Sequence, residues 1–124
     1  MGFVEIEKRG IGIISSKPKE KWLVPLEDTK MEVRTFMSLF AEFLGSFLLM
    51  ASIMASNGNA IVIGATLAII VFLVGGISGA AVNPAVAAGL WYSGILSGEM
   101  FFLYSFFQIL GALAAAFTYR IVAA

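Results

Sequence analysis

The stretch Ser78-Gly-Ala-Ala-Val-Asn83-Pro84-Ala85-Val86 decides the fold of this chain. It opens an apolar segment, Pro84 to Tyr92, that is too short to cross a bilayer, because a spanning helix needs about 20 residues. Asn83 is a good helix N-cap and Pro84 suits the first helical position, so a short helix is predicted to begin here. We therefore predict that about residues 78–92 form a loop that enters the membrane and ends in a half-helix. Irregular backbone at that depth must be covered by protein or line a water-filled cavity.

Three longer apolar segments flank this loop and predict membrane-spanning helices. They cover about residues 36–55, 60–77 and 100–120, and apart from Arg120 at the end of the third, Glu42 is their only charged residue. Hydrophobic residues make up 60% of the chain and its mean hydropathy is +0.94, which indicates that lipid is its solvent. Turn-forming residues at 56–59 predict that the first two helices are antiparallel neighbours.

The cations are concentrated before the first span. Seven of the eight Lys and Arg residues lie between Lys8 and Arg34, interleaved with acidic residues, so the formal net charge is +0. We interpret residues 1–34 as a polar N-terminal tail and residues 35–124 as a transmembrane domain. The positive-inside rule places the N-terminus in the cytoplasm and the C-terminus outside. The first 30 residues lack the pattern of a cleaved signal peptide.

The composition also excludes several classes of function. The chain has no Cys and no His, so disulfides, thiolate or imidazole metal sites and Ser-His or Cys-His dyads cannot be built. We therefore expect no enzyme, no metal and no cofactor. The mixed charges of the tail argue against nucleic-acid binding. The expected surroundings are a lipid bilayer.

Several residues together resemble the major intrinsic protein family, the aquaporins and glycerol facilitators, and specifically its N-terminal repeat. Ala41-Glu42-Phe43 with Gly45 is similar to the family's first-helix signature, and Ser78-Gly79-Ala80 followed by Asn83-Pro84-Ala85 is similar to its pore loop. Tyr104, Gln108, Gly111 and Ala112 are similar to its third helix. The resemblance implies an all-α membrane protein, an aquaporin-like half repeat of three transmembrane helices and one re-entrant half-helix.

The resemblance also implies a role for each of these residues. Asn83, Pro84 and Ala85 would form the pore motif, with the Asn83 amide donating a hydrogen bond to permeating water. The backbone carbonyls of Gly79, Ala80 and Ala81 would provide acceptors along one wall. Glu42, Gln108 and Ser78 would support the loop. An acid inside a span is also a functional candidate because burying it is costly, but the spans contain no His, Asp or Lys that could continue a proton relay from Glu42.

The sequence departs from the family pattern in two ways. Ile63 stands where water-selective relatives carry a bulky filter aromatic, and Ala81 and Val82 stand where many carry a polar side chain, so glycerol or urea is as plausible a solute as water. A second Asn-Pro-Ala motif and three further spans are missing. Because the family pore forms between two inverted repeats, the resemblance implies a partner, either another copy or a complementary aquaporin half.

Two other functions remain open at this point. The chain could be a non-conducting, truncated aquaporin-like protein that assembles with a full-length relative, or an unrelated three-span protein. The intact loop motif with Glu42 and Gln108 favours the channel subunit, since an interaction protein needs none of these residues. Permeability measurements on the isolated chain would discriminate between them.

Overall fold

The computed structural model describes residues 23–124, with side chains from residue 29 onward. Most of the predicted N-terminal tail lies outside the described residues. The described part consists of four helices: α1 (Leu23–Ala55), α2 (Ala60–Ser78), α3 (Pro84–Tyr92) and α4 (Gly98–Val122). Three of these are long and apolar enough to cross a membrane: α1 from Thr29, α2 and α4. The predicted all-helical architecture with three long apolar helices is confirmed.

The helix ends follow local sequence signals. The turn between α1 and α2 contains Asn57 and Gly58, both with positive φ, and the Asn59 side chain caps α2 by accepting from the backbone N–H groups of Ile61 and Val62. Ser97 caps α4 in the same way, accepting from Met100. These short polar residues satisfy N–H groups that a helix start leaves without partners.

The three long helices alternate in direction. The Cα of Gly45 on α1 faces Ile70 on α2, whereas Ser38, further back on α1, bonds to Ile77 further along α2, so α1 and α2 are antiparallel. Gly111 on α4 faces Phe43, and the later parts of both helices line a common groove, so α1 and α4 are parallel. The helix α1 therefore contacts both other long helices.

The short helix α3 packs against α4. Ala87 on α3 is fully buried and clusters with Ala81 and with Tyr104 of α4. The rings of Trp91 and Phe101 stack with centroids 5.2 Å apart and an interplanar angle of 7°. This packing fixes a nine-residue helix that could not hold its conformation alone.

Candidate functional site

The carboxylate of Glu42 organises the loop between α2 and α3. Its Oε1 accepts hydrogen bonds from the Ser78 hydroxyl (2.6 Å) and the Ala81 N–H (3.0 Å). Its Oε2 accepts from the Val82 N–H (2.6 Å) and from Gln108 Nε2 (2.7 Å). Glu42 is 0% exposed, and each carboxylate oxygen thus has two donors. A buried carboxylate with all its acceptor positions filled is a rigid support rather than an open reactive group.

Two serines extend this support along the same face of α1. Ser38 donates to the Ile77 carbonyl (2.9 Å), and Ser46 donates to the Val82 carbonyl (3.1 Å). Residues 38, 42 and 46 recur every four positions and therefore share one face, spread over about 12 Å of helix axis. The loop thus runs along α1, from the level of Ser38 to the level of Ser46, and carries Asn83 towards the middle of the span.

The start of the loop is held from the other side by α4. The Tyr104 hydroxyl donates to the Ser78 carbonyl (2.8 Å), and the Ser78 hydroxyl accepts from the Ala80 N–H (3.1 Å). The N–H of Gly79 closes α2 by donating to the Gly75 carbonyl (2.9 Å). The three elements α1, α2 and α4 therefore meet at Ser78.

The loop backbone adopts conformations that side chains normally avoid. Gly79, Ala80 and Val82 have φ values of 85°, 50° and 41°. A left-handed conformation is unusual for alanine and rarer for a β-branched valine, and such strain of about 1–3 kcal/mol per residue persists only where surrounding contacts impose it. Val82 meets that condition, because α1 side chains bind both its N–H and its carbonyl.

Two glycines allow the helices to approach the loop and each other. A Cβ at Gly45 would collide with the Val82 side chain and lie 3.1 Å from Ile70 Cγ2. A Cβ at Gly111 would collide with the Phe43 carbonyl oxygen. Small residues at these points let backbones pack closely, as in membrane helix interfaces generally.

The polar groups of the loop that make no hydrogen bond within this network lie close together in the sequence. Within residues 30–124, no hydrogen bond reaches the carbonyl oxygens of Gly79, Ala80 or Ala81. Asn83 is exposed; its Oδ1 accepts from the Ala85 N–H (2.8 Å), which caps α3, and its Nδ2 has no partner in the same range. Pro84 occupies the first turn of α3. The site therefore presents three acceptors followed by an amide donor at a helix N-terminus.

Ile63 lies one turn into α2 and is partly buried. A groove of about 160 Å³ borders Asn83, and Ile63 is not among its lining residues. The groove is lined by residues of α1, the loop, the first turn of α3 and α4: Ser46, Leu49, Met50, Ile53, Val82, Asn83, Pro84, Gln108, Ile109 and Ala112.

Three side chains of this hydrogen-bond network were not predicted to support the loop: Ser38, Ser46 and Tyr104. No role was predicted for Ser38 and Ser46, and Tyr104 was named only as part of a helix that resembles the family. Their four-residue spacing around Glu42 was the available signal for the serines. Gln108 reaches the loop through Glu42. No group of three or more acidic, His or Cys side chains in the described part of the chain could hold a metal ion.

Comparison with known proteins agrees with this arrangement. The family model of the major intrinsic proteins matches residues 30–124. Aquaporin Z of Brucella melitensis biotype 1 is 36% identical over 99 residues, which is 68% of this chain and 43% of that protein. The probable aquaporin PIP2-7 of Oryza sativa subsp. japonica is 45% identical over 53 residues, 43% of this chain and 18% of that protein. The chain thus spans less than half the length of either relative. No solved structure matches it significantly.

Proposed function

This chain belongs to the major intrinsic protein family, and from that premise we propose that it is one half of a membrane channel for the passive transport of water or small neutral solutes. The complementary half would be supplied by another segment or another chain. The role is binding and conduction without covalent chemistry, so we propose no enzymatic activity and no cofactor.

The observation that supports this function best is the row of unpaired polar groups ending at Asn83. Three carbonyls without partners in residues 30–124 and the Asn83 amide can replace the hydrogen bonds that a neutral solute makes in water. Holding these groups in place requires a strained loop backbone and a buried acid, Glu42. The hydrogen bonds around Glu42 stabilise both. A merely structural loop would not need its acceptors and donor to stay without hydrogen-bond partners.

The same geometry opposes charge. The N-terminus of α3 starts at Asn83 and carries a partial positive charge, which disfavours cations, as is established for aquaporin-type pores. No charged side chain lines the groove beside Asn83. The solute that suits these groups is neutral, small and able to both donate and accept hydrogen bonds. The aliphatic Ile63 makes glycerol or urea candidates beside water.

The other wall of the path has to come from a second element. In this half the groove beside Asn83 is lined by α1, the loop, the first turn of α3 and α4, and Asn83 itself is exposed. The curated relatives are more than twice as long as the matched region, in keeping with a second half. We further propose that the N-terminus faces the cytoplasm, because the cations precede the first span.

Stopped-flow measurements on proteoliposomes test this function. Vesicles are prepared with this chain alone and together with the part of Brucella melitensis Aquaporin Z that the match leaves uncovered, and are exposed to water and glycerol gradients. We expect flux with the complementary half. Permeability equal to that of empty vesicles in both preparations would exclude the channel and favour the non-conducting interaction protein.

A substitution at the loop links any flux to the site. Asn83→Asp keeps an oxygen that can cap α3 but replaces the amide donor with a negative charge, so we expect a folded protein with little flux. Asn57→Asp, in the exposed α1–α2 turn, is the matched control and should conduct normally. Equal flux in both variants would remove Asn83 from the conducting path.

A further inference from the structure

We propose that the end of α3 and the turn that follows it form a membrane-interface anchor. In this anchor the side chains of Trp91, Tyr92 and Ile95 insert between the lipid headgroups and the upper acyl chains, and so fix the depth of α3 in the bilayer. The partner is the lipid itself, recognised through the oxygen acceptors of its ester and phosphate groups. The inference needs the chain to lie in a membrane, as its family and its three apolar helices indicate, but it does not need the chain to conduct.

The starting observation is a group of large side chains that the protein leaves uncovered. Trp91 is 48% exposed, Tyr92 90% and Ile95 74%. The two aromatic side chains each combine an apolar ring with one polar tip, and within residues 29–124 neither the Trp91 indole N–H nor the Tyr92 hydroxyl makes a hydrogen bond. Tryptophan and tyrosine with such free tips are enriched where a membrane meets water, because the ring enters the apolar layer while the tip bonds to polar groups.

The two charged residues of α4 mark the level of the membrane boundary. Glu99, exposed in the first turn, and Arg120, exposed in the last, lie about 32 Å apart along the helix axis, close to the ~30 Å thickness of a hydrocarbon core. Charged side chains are costly inside that core, so each of them belongs at one of its two edges. The start of α4, and the turn that leads into it, therefore lie at one membrane interface.

The short helix α3 runs from this interface towards the bilayer centre. Ala87 clusters with Tyr104, and Trp91, one turn later on α3, stacks on Phe101, about one turn earlier on α4, so the two helices are antiparallel. The nine residues of α3 are about 13 Å long, close to half of the ~30 Å core. With its end held at headgroup level, α3 therefore begins near the bilayer centre, and the anchor sets the depth of Asn83.

The anchor is continuous with a surface that faces lipid. The ring of Trp91 stacks on Phe101, and the Phe101 ring contacts that of Phe102, with centroids 5.2 Å apart in both pairs. Phe102 and Phe106, one turn apart on the spanning helix α4, are both exposed and share a face. Since the indole nitrogen can only donate, the group that meets it must be an acceptor. Lipid ester and phosphate oxygens are acceptors and lie at the level of the anchor, which favours lipid over a second polypeptide as the occupant.

The depth of Trp91 can be measured by fluorescence, because the chain has only one other tryptophan, Trp22. The variant Trp22→Phe is placed in phosphatidylcholine liposomes that carry bromine, a contact quencher, either near the top of the acyl chains or near their ends. We expect the upper bromines to quench Trp91 more strongly than the lower ones. The matched control is Phe106→Trp in a chain that also carries Trp22→Phe and Trp91→Phe. This exposed position lies two turns into α4, so the lower bromines should quench it more strongly.

Two quenching results would overturn the inference. Stronger quenching of Trp91 by the lower bromines would place the turn inside the hydrocarbon core and not at its edge. No quenching of Trp91 by either lipid, while the tryptophan at position 106 is quenched, would show that protein or water surrounds the turn. Neither measurement depends on flux, so the failure of the proposed channel and the failure of the anchor are distinguishable.

A second set of variants tests whether the lipid contact holds α3 in place. Tyr92→Ala removes a side chain that is almost fully exposed, so its effect on α3 must come through the lipid. We expect hydrogen–deuterium exchange of the α3 backbone in nanodiscs to rise about fivefold. Tyr92→Trp keeps an amphipathic ring and should exchange as the unmodified chain does, as should the control Phe117→Ala, an exposed position near the other end of α4. Equal exchange in Tyr92→Ala and Tyr92→Trp would refute the anchoring role of this ring.

Discussion

Replacing Glu42 with glutamine should release the loop from α1 while leaving the shape of the side chain nearly unchanged. A glutamine oxygen can keep two of the four donors, and its NH₂ group then faces the Ser78 hydroxyl and the Ala81 N–H. The hydroxyl can turn and accept, but the Ala81 N–H, in a residue only 5% exposed, loses its partner. An unpaired buried N–H costs about 1–3 kcal/mol, and weakening three charge-assisted bonds to neutral ones costs about 2 kcal/mol more.

The sum, about 3–5 kcal/mol, corresponds to an increase of between about two and four orders of magnitude in the open population of the loop. Hydrogen–deuterium exchange of peptides covering residues 79–83, measured in nanodiscs, reports that population directly. The same substitution at Glu99, exposed in the first turn of α4, is the control and should leave loop exchange unchanged. An increase below about tenfold for Glu42→Gln, or an equal increase for Glu99→Gln, would refute the role assigned to the carboxylate.

Three further substitutions test the packing around the loop. Gly111→Ala should destabilise the protein by about 2 kcal/mol or more in a denaturant titration, because the added Cβ collides with the backbone of α1. The control Gly64→Ala, where the Cβ meets open space, should stabilise the protein by about 0.5–1 kcal/mol. Equal effects of the two substitutions would contradict the close approach of α4 to α1. Gly79→Ala should cost about 1–2 kcal/mol in the same titration despite open space, because φ is 85°, and a neutral result would argue against the left-handed conformation. Ser46→Ala should raise the hydrogen–deuterium exchange rate of the loop about fivefold, because one hydrogen bond to the loop is lost. The control Ser52→Ala breaks only a hydrogen bond within α1 and should leave that rate unchanged. An unchanged exchange rate in Ser46→Ala would show that Ser46 does not support the loop.

The long helices could be predicted because each is a continuous apolar segment bounded by polar turn residues. Hydropathy and the short 56–59 connection contain that information, and Asn83-Pro84 marks the start of α3 by local capping chemistry alone. The beginning of α1 could not be placed in this way. The structure starts that helix at Leu23, before the apolar segment, where charged residues with good helix propensity extend it.

The partners of the hydroxyl groups were not predictable from the sequence. Thr66 and Thr118 each donate to the carbonyl four residues earlier in their own helix, at 2.8 Å. Ser38 and Ser46, both in the apolar part of α1, instead donate to other elements: Ser38 to the end of α2 and Ser46 to the loop. The difference depends on which face of the helix meets the loop, and that is set by tertiary packing. The local sequence therefore does not show whether a hydroxyl bonds within its own helix or to another element.

The backbone conformation of Val82 is a second feature that could not be predicted from the local sequence. A valine favours extended conformations, so the sequence predicts nothing left-handed at this position. The observed φ of 41° is imposed by hydrogen bonds from residues more than 30 positions away, Glu42 and Ser46. Tertiary contacts override local preference at the residue that immediately precedes Asn83.

The four donors around Glu42 also set an order for biogenesis. Three of them, in Ser78, Ala81 and Val82, follow Glu42 by 36 to 40 residues, but the fourth, in Gln108, follows it by 66. During vectorial synthesis α1 and α2 can therefore enter the membrane as a hairpin whose acid is only partly neutralised by hydrogen bonding. The arrival of α4 supplies the last donor and locks the loop. We therefore expect the loop to reach its final structure when α4 leaves the insertion machinery, and not when the hairpin of α1 and α2 inserts.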